Sequence, residues 1–271
     1  MAKITRAMQM VAASKMRAAQ QAAIAPRAFI LQMYRIQRTA TTRPVDFTHP
    51  LVERREVRRR AVILVAADKG LCGALNTNIF RLAAAFDSET TLFITAGRKA
   101  AQWVARGGRR LAAEFAYGDA PTFAEARAIA GLARDLFLNG DVDEVRIVAT
   151  RFINTLSQEA LVLPFIPVGE ITGLKVPGMD VPVWTEDTVQ TLFEPDVRSV
   201  LAYLLGHYLN ASVYFTLLNA KASEHSARMV SMKNATDSAE DLVRSLALEY
   251  NRLRQGNITR ELMDIAGGQA G

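Results

Sequence analysis

Residues 229–253 read MVSMKNATDSAEDLVRSLALEYNRL, and Met229, Met232, Thr236, Ala239, Val243, Leu246, Tyr250 and Leu253 recur in it at alternating steps of three and four. That is the spacing of a heptad seam, which on a helix forms a single stripe. Upstream, nothing breaks a helix until FEPDVRS at 193–199, which offers Pro195 at a first helical position and Asp196 in the first turn, where the helix dipole favours an anion. One helix of about seventy residues follows, a rod on the order of 100 Å long at about 1.5 Å per residue. No globular domain of ordinary size is that wide, so most of the rod needs burial against a partner helix or another protein.

A candidate partner lies at the other end. MAKITRAMQMVAASKMRAAQ at 1–20 begins a second seam, in which Ile4, Met8, Val11, Lys15, Ala18, Ala22, Ala25, Phe29, Met33, Ile36 and Ala40 follow steps of four and three. About forty helical residues are implied, kinked or restarted at Pro26, where the hydrogen-bond ladder is interrupted. Two seams predict two helices wound together, with Ile4, Met8 and Val11 packed on the C-terminal helix.

Between them the pattern changes period. The apolar run Ala61 to Ala67 is followed by a glycine-containing turn and a helix capped by Asn76. TTLFITAG with RKAAQWVARG repeats the strand and helix, PTFAEARAIAGLARDLFLNG reads as a helix, and DEVRIVATRFI and QEALVLPFIPV read as strands. This alternation predicts an α/β fold with a small, mainly parallel sheet carrying helices. Glu170 to Asp187, with Pro177 and Pro182, reads as a loop back to the long helix. The domains are therefore 1–60, a helix and linker; 61–190, an α/β domain; and 191–271, the long helix.

Composition narrows the function. With 271 residues and 50% apolar content the chain can bury a substantial core, and no window is apolar and long enough to span a membrane. One cysteine, Cys72, rules out an internal disulfide and fits a reducing compartment, and histidines at 49, 207 and 225 are too scattered to cluster around a metal. The net charge of +6 is uneven, with eight basic residues and no acid before Asp46. That bias suits a transit peptide, a nucleic-acid arm, an anionic-membrane helix or a helix facing an acidic protein, and composition does not choose among them.

Candidate chemistry thins out on inspection. DKGLCGALN at 68–76 stands between strand and helix, where phosphate loops sit, but Gly70 and Gly73 do not make G-x-G-x-x-G and no Lys-Ser/Thr pair closes a Walker loop. Asp68 and Lys69 read instead as a structural turn. Cys72 lacks a neighbouring histidine to activate it, ERREVRRR at 53–60 has no interleaved aromatics, and the methionines at heptad spacing read as packing. No catalytic constellation, cofactor site or metal site is expected, so the rod should act mechanically or by binding.

KITRAMQMVAASKMRAAQ, DKGLCGALNTN, LFEPD and SARMVSMKNATDSAEDLV with YNRLRQGNITRELMDIAGG closely resemble, in that order along the chain, the gamma subunit of F-type ATP synthases. The resemblance implies an antiparallel coiled coil of the terminal helices inside a ring of alpha and beta subunits, with a Rossmann-like α/β domain lower down. The foot would rest on the membrane c-ring and the epsilon subunit, so that ion flow turns the shaft and drives ATP synthesis on beta. It implies a non-catalytic subunit with no cofactor and no nucleic acid, peripheral on the cytoplasmic face of a bacterial plasma membrane. Matching positions are Met8, Arg228, Arg254, Gln255, Thr259 and Glu261 for contact and coupling with beta, and Phe193 and Glu194 for the ring and epsilon. Glu194 reads equally well as a helix cap. By the same likeness Lys3, Arg6, Lys15 and Arg17 face the acidic lower surfaces of the surrounding ring.

Three departures qualify the likeness. The family carries a further basic amphipathic stretch ahead of the first motif, so the first helix here starts mid-motif. Gly256 stands where alanine is commoner, costing the helix about 1 kcal/mol. Cys72 is not the cysteine pair of light-regulated chloroplast members. Two rival functions carry distinct signatures: a nucleotide-binding α/β enzyme built on 68–76, and a basic nucleic-acid-binding coiled coil whose affinity falls steeply with salt.

Overall fold

The structure is a computed structural model and describes residues 2–24, 27–41, 47–169 and 192–268. Helices α1 (Ala2–Ile24) and α2 (Arg27–Thr41) come first and α6 (Val197–Gly268) comes last. Between them run β1 (Arg60–Val65), α3 (Leu75–Ala83), β2 (Thr91–Ala96), α4 (Arg98–Arg106), β3 (Arg110–Phe115), α5 (Phe123–Leu138), β4 (Glu144–Phe152) and β5 (Gln158–Ile166). Pro26 and the loop expected at 170–187 lie outside the described residues.

α6 is one helix of 72 residues, about 108 Å long. Its start differs in detail from expectation: Asp196 precedes the helix and its carboxylate accepts from the Ser199 amide at 3.0 Å and the Ser199 hydroxyl at 2.7 Å. Pro195 lies outside the first turn, and Asp196, not Glu194, does the capping. The N-terminal helices run antiparallel to α6: at one end the Thr5 and Thr236 hydroxyls lie 2.7 Å apart and Arg6 pairs with Glu240 at 2.9 Å. At the other end the Phe29 ring of α2 stands edge-on to His207, 6.4 Å between centroids.

The seam on α1 is shifted one residue from the expected one. Ala12, Met16 and Ala19 are buried, whereas Ile4 and Val11 are 62% and 55% exposed. Phe29 and Ile36 of α2 are likewise exposed, with Ile30, Tyr34 and Gln37 turned inward beside Met33 and Ala40. The expected stripe would have buried the Lys15 ammonium; rotating the helix by one position, about 100°, replaces Lys15 with Met16 and leaves Lys15 paired with Asp119. Small alanines in the new stripe also let the helices approach closely. On α6 the expected seam is buried at Met232 and Thr236, but Val243, Leu246, Tyr250 and Leu253 are exposed. α1 reaches only as far as Glu240, and beyond it α6 meets no partner among the described residues.

The middle forms a five-stranded sheet in the order β3-β2-β1-β4-β5, parallel except for the β4–β5 pair. The β3 strand, an edge, was not legible as a strand because its residues are mostly exposed and lack alternation. β1 is buried on both faces, which explains its unbroken apolar run. Ala61, Ile63 and Val65 join α5 and α6 on one face, while Val62 and Leu64 join α3 and α4 on the other. Asn76 is not the cap of α3, which begins at Leu75; its carboxamide oxygen accepts from the Ala67 amide at 3.2 Å, tying the end of β1 to the helix. α5 carries a capping box, Thr122 with Glu125.

The position of the seam makes a test. Ala12→Leu should destabilise the chain by about 1–3 kcal/mol through overpacking, while Val11→Ala should change it by less than about 0.5 kcal/mol. Thermal unfolding of the two variants checks which stripe faces α6.

Candidate functional site

The expected contact residues fall at three levels along the axis of α6: at its junction with α1 and the α/β domain, along its exposed end, and just before its start.

At the junction, a cleft of about 570 Å³ opens between α1 and the carboxyl ends of β1 and β3. Met8 and Val11 form its apolar wall, while Gly70, Asp119, His225 and Arg228 supply polar surface. Met8 is half-buried there. Arg228 is turned inward, its side chain only 11% exposed. Its guanidinium pairs with Glu224 at 2.7 Å and donates to the carbonyl oxygens of Gly70 and Lys69 at 3.3 and 3.4 Å. The spread of guanidinium donors suits this task, clamping a loop to a helix. Opposite it, Asp119 pairs with Lys15 at 2.6 Å, and that hydrogen bond above all holds the Asp119 carboxyl below its ordinary range. His225 is buried, with Nε2 3.4 Å from Asp119 Oδ1 but without a hydrogen bond to it. Burial lowers its pKa, overcoming the opposite pull of Glu224 and Asp119.

The same geometry argues against a phosphate loop. Phosphate sites turn backbone N–H groups toward the ligand, whereas Lys69 and Gly70 present carbonyl oxygens to Arg228. In doubly wound sheets ligands sit outside the carboxyl ends of the strands; here the end of β1 meets α6. Cys72 is buried, and burial raises its thiol pKa even with Arg228 nearby, the reverse of what a nucleophile needs. Among the described residues no group of three or more His, Cys, Asp or Glu is placed to hold a metal ion.

Along the exposed end, Arg254, Gln255, Thr259 and Glu261 all face solvent. The Thr259 hydroxyl donates back to the Gln255 carbonyl at 2.9 Å, while the Arg254 guanidinium and Gln255 carboxamide reach outward. Large apolar side chains accompany them, with Leu246, Tyr250, Leu253 and Leu262 each more than half exposed. A Cβ at Gly256 would meet nothing within 4 Å, so only helix propensity, not space, distinguishes glycine from alanine there. At the foot, Phe193 packs partly on the main core while Glu194 is exposed. Beside them Leu192 is 83% exposed and Tyr203 73%. No described helix is long and apolar enough to cross a membrane.

Met8 and Arg228 thus share one cleft, the four C-terminal residues share one bare stretch of helix, and the foot pair stands apart. Two partners of the junction were missed by sequence reasoning. Glu224 was detectable, four residues before Arg228 on a helix; Asp119, in a loop distant in sequence, carried no local signal.

His225 sets a pH dependence. Its folded pKa lies below the unfolded value of about 6.5, so the unfolded chain binds more protons and stability, complete above about pH 6.5, falls as pH drops below it. Denaturant unfolding at about pH 7.5 and 5.5 should show that loss, and His225→Gln should reduce it.

Comparison with known proteins now bears on these surfaces. A profile of the family described as ATP synthase matches residues 1–271. The chain is 42% identical to the ATP synthase gamma chain of Opitutus terrae, over 98% of this chain and 92% of that one. It is 37% identical to the gamma chain of Methylacidiphilum infernorum, over 99% and 93%. Among solved structures it shares the fold of a chain in the Tetrahymena thermophila mitochondrial ATP synthase central stalk and c-ring, with a TM-score of 0.60, 23% identity, and coverage of 86% of this chain and 99% of that one. A chain of the Euglena gracilis mitochondrial ATP synthase rotor superposes with a TM-score of 0.62 at 19% identity, covering 95% and 93%.

Proposed function

The chain belongs to the ATP synthase gamma-chain family, and we propose on that premise that it works as the rotary central stalk, passing torque between a membrane c-ring and the catalytic subunits. The observation that carries this reading is α6 itself. Over residues 211–226 it is buried on almost every side, and from 241 onward every side chain described is exposed. A helix so anchored at one level and bare at another is built to work inside other subunits.

The bare end is then the part enclosed by alpha and beta subunits. Arg254 and Gln255 offer hydrogen-bond donors to a beta loop, with Thr259 and Glu261 beside them. Met8 supplies an apolar surface for a moving acidic lever without committing a hydrogen bond. Arg228 acts from within, by holding the Lys69–Gly70 loop at the height where that lever passes. Phe193 and Glu194, with exposed Leu192, are the foot contacts for the c-ring and epsilon subunit. On this reading residues 1–60 and 191–271 form the shaft and 61–190 the domain it carries. The chain holds no active site, binds no nucleic acid, and sits with its complex on the cytoplasmic face of a bacterial plasma membrane.

Co-purification with alpha and beta subunits is the first expectation. In the assembled complex, Arg254→Ala and Gln255→Ala should each lower ATP hydrolysis and synthesis by up to roughly tenfold, the value of one good hydrogen bond lost in a rotational step. Wild-type rates in both variants would remove these residues from the assignment.

A further inference from the structure

Lys221 is a buried cation that none of the contacts above employs. Its side chain is 1% exposed, yet Nζ lies 3.2 Å from Asp68 Oδ2 and 3.1 Å from Glu224 Oε2. The Tyr117 ring lies beneath it, 4.3 Å to the centroid. Each neighbour is itself fixed to something else. Asp68 ends the loop side of β1, and its Oδ1 accepts from the amide of Arg98, the first residue of α4, at 3.0 Å. Tyr117, just past β3, donates its hydroxyl to the Ala66 carbonyl at 3.1 Å. Glu224 carries Arg228 on its other oxygen. One ammonium on α6 therefore joins the carboxyl ends of β1 and β3 and the start of α4 to the shaft.

Stability alone does not account for such a group. Taking an ammonium and two carboxylates out of water is costly, and a well-packed apolar replacement of a buried ion pair is often neutral or stabilising. What the charges add is geometry. Between Leu205 and Leu217 the α6 contact with the domain is largely apolar, formed by side chains such as Leu205, Leu209, Val213 and Leu217, and apolar contact is non-directional; the directional contacts begin at Lys221 and continue through Ser226 and Arg228. An ammonium between two carboxylates above a ring face is satisfied at one height and one angle about the helix axis.

We propose that Lys221 is a positioning residue that locks the angular setting of the α/β domain about α6, so that torque entering at the domain and foot reaches the bare end without slip. The proposal rests on the rotor reading of the chain. Its partner in the lock is Asp68, and Glu224 links it to the Arg228 clamp one turn further along.

The test uses the complete ATP synthase complex. Lys221→Met combined with Asp68→Asn removes the ion pair while keeping side-chain size and the acceptor for the Arg98 amide. The expected result is a folded, assembled complex whose unloaded ATP hydrolysis stays within about twofold of wild type, while ATP synthesis against an ion gradient falls by about threefold or more as the domain loses its setting. Lys221→Arg should keep synthesis near wild type. Undiminished synthesis in the double variant overturns the lock, and so does failure of that variant to fold, since the cluster would then serve stability rather than register. A wild-type chain that fails to restore synthesis to a complex lacking its gamma subunit would instead overturn the rotor reading itself.

Discussion

The structure depends on how α6 is buried. Between residues 211 and 226 this helix is core on nearly all sides, with Val213, Leu217 and Ala220 against the sheet and α5, and Phe215 against Ile30 and Tyr34 of α2. A short helix here would serve the α/β domain as an ordinary packed element. Continued for 72 residues, the same helix becomes the partner of α1 and then a projecting rod. The apolar grip in the middle favours the projection, because nucleation is the costly step of helix formation and the packed middle supplies formed turns from which the exposed end propagates.

Charge takes over where apolar burial stops. Just beyond Ala220 the inward side chains become Lys221, Glu224, His225 and Arg228, and they meet the loops at the carboxyl ends of β1 and β3. This is the edge at which a doubly wound sheet would bind a nucleotide. Here a helix of the same chain fills that edge, and the backbone carbonyls of Lys69 and Gly70 answer a guanidinium instead of a phosphate. Burial lowers the pKa of His225, so this group contributes most to the joint above its unfolded pKa.

Exposure on the far end of α6 is functional in the same sense. Leucines and a tyrosine left in water over more than five turns would be an aggregation liability in a solitary protein. In the central stalk proposed above they would be half of an interface whose other half belongs to surrounding subunits. Met8 at the cleft is flexible, neutral and apolar, whereas Arg254 and Gln255 present hydrogen-bond donors on the exposed end.

Residue order alone determined a good deal: two long terminal helices, the alternation of strand and helix between them, a glycine-containing loop at 68–76 without phosphate-loop spacing, and the motifs that mark the family. These are local or periodic signals, and a period of three and four or an apolar run is written in neighbouring residues. Tertiary structure decided what local signals leave degenerate. In an alanine-rich helix the stripes through Val11 and Ala12 are both plausible seams, and only the cost of burying Lys15 against the gain of pairing it with Asp119 selects one. β3 is a strand because β2 offers it an edge, not because its own residues alternate. Arg228 looks from sequence like a cation for a partner, and it is turned inward by Glu224 and by two carbonyls 158 and 159 residues away in the chain. Lys221 finds Asp68 across 153 residues; a buried charge is placed by the whole fold, because only the whole fold can supply its counter-charges.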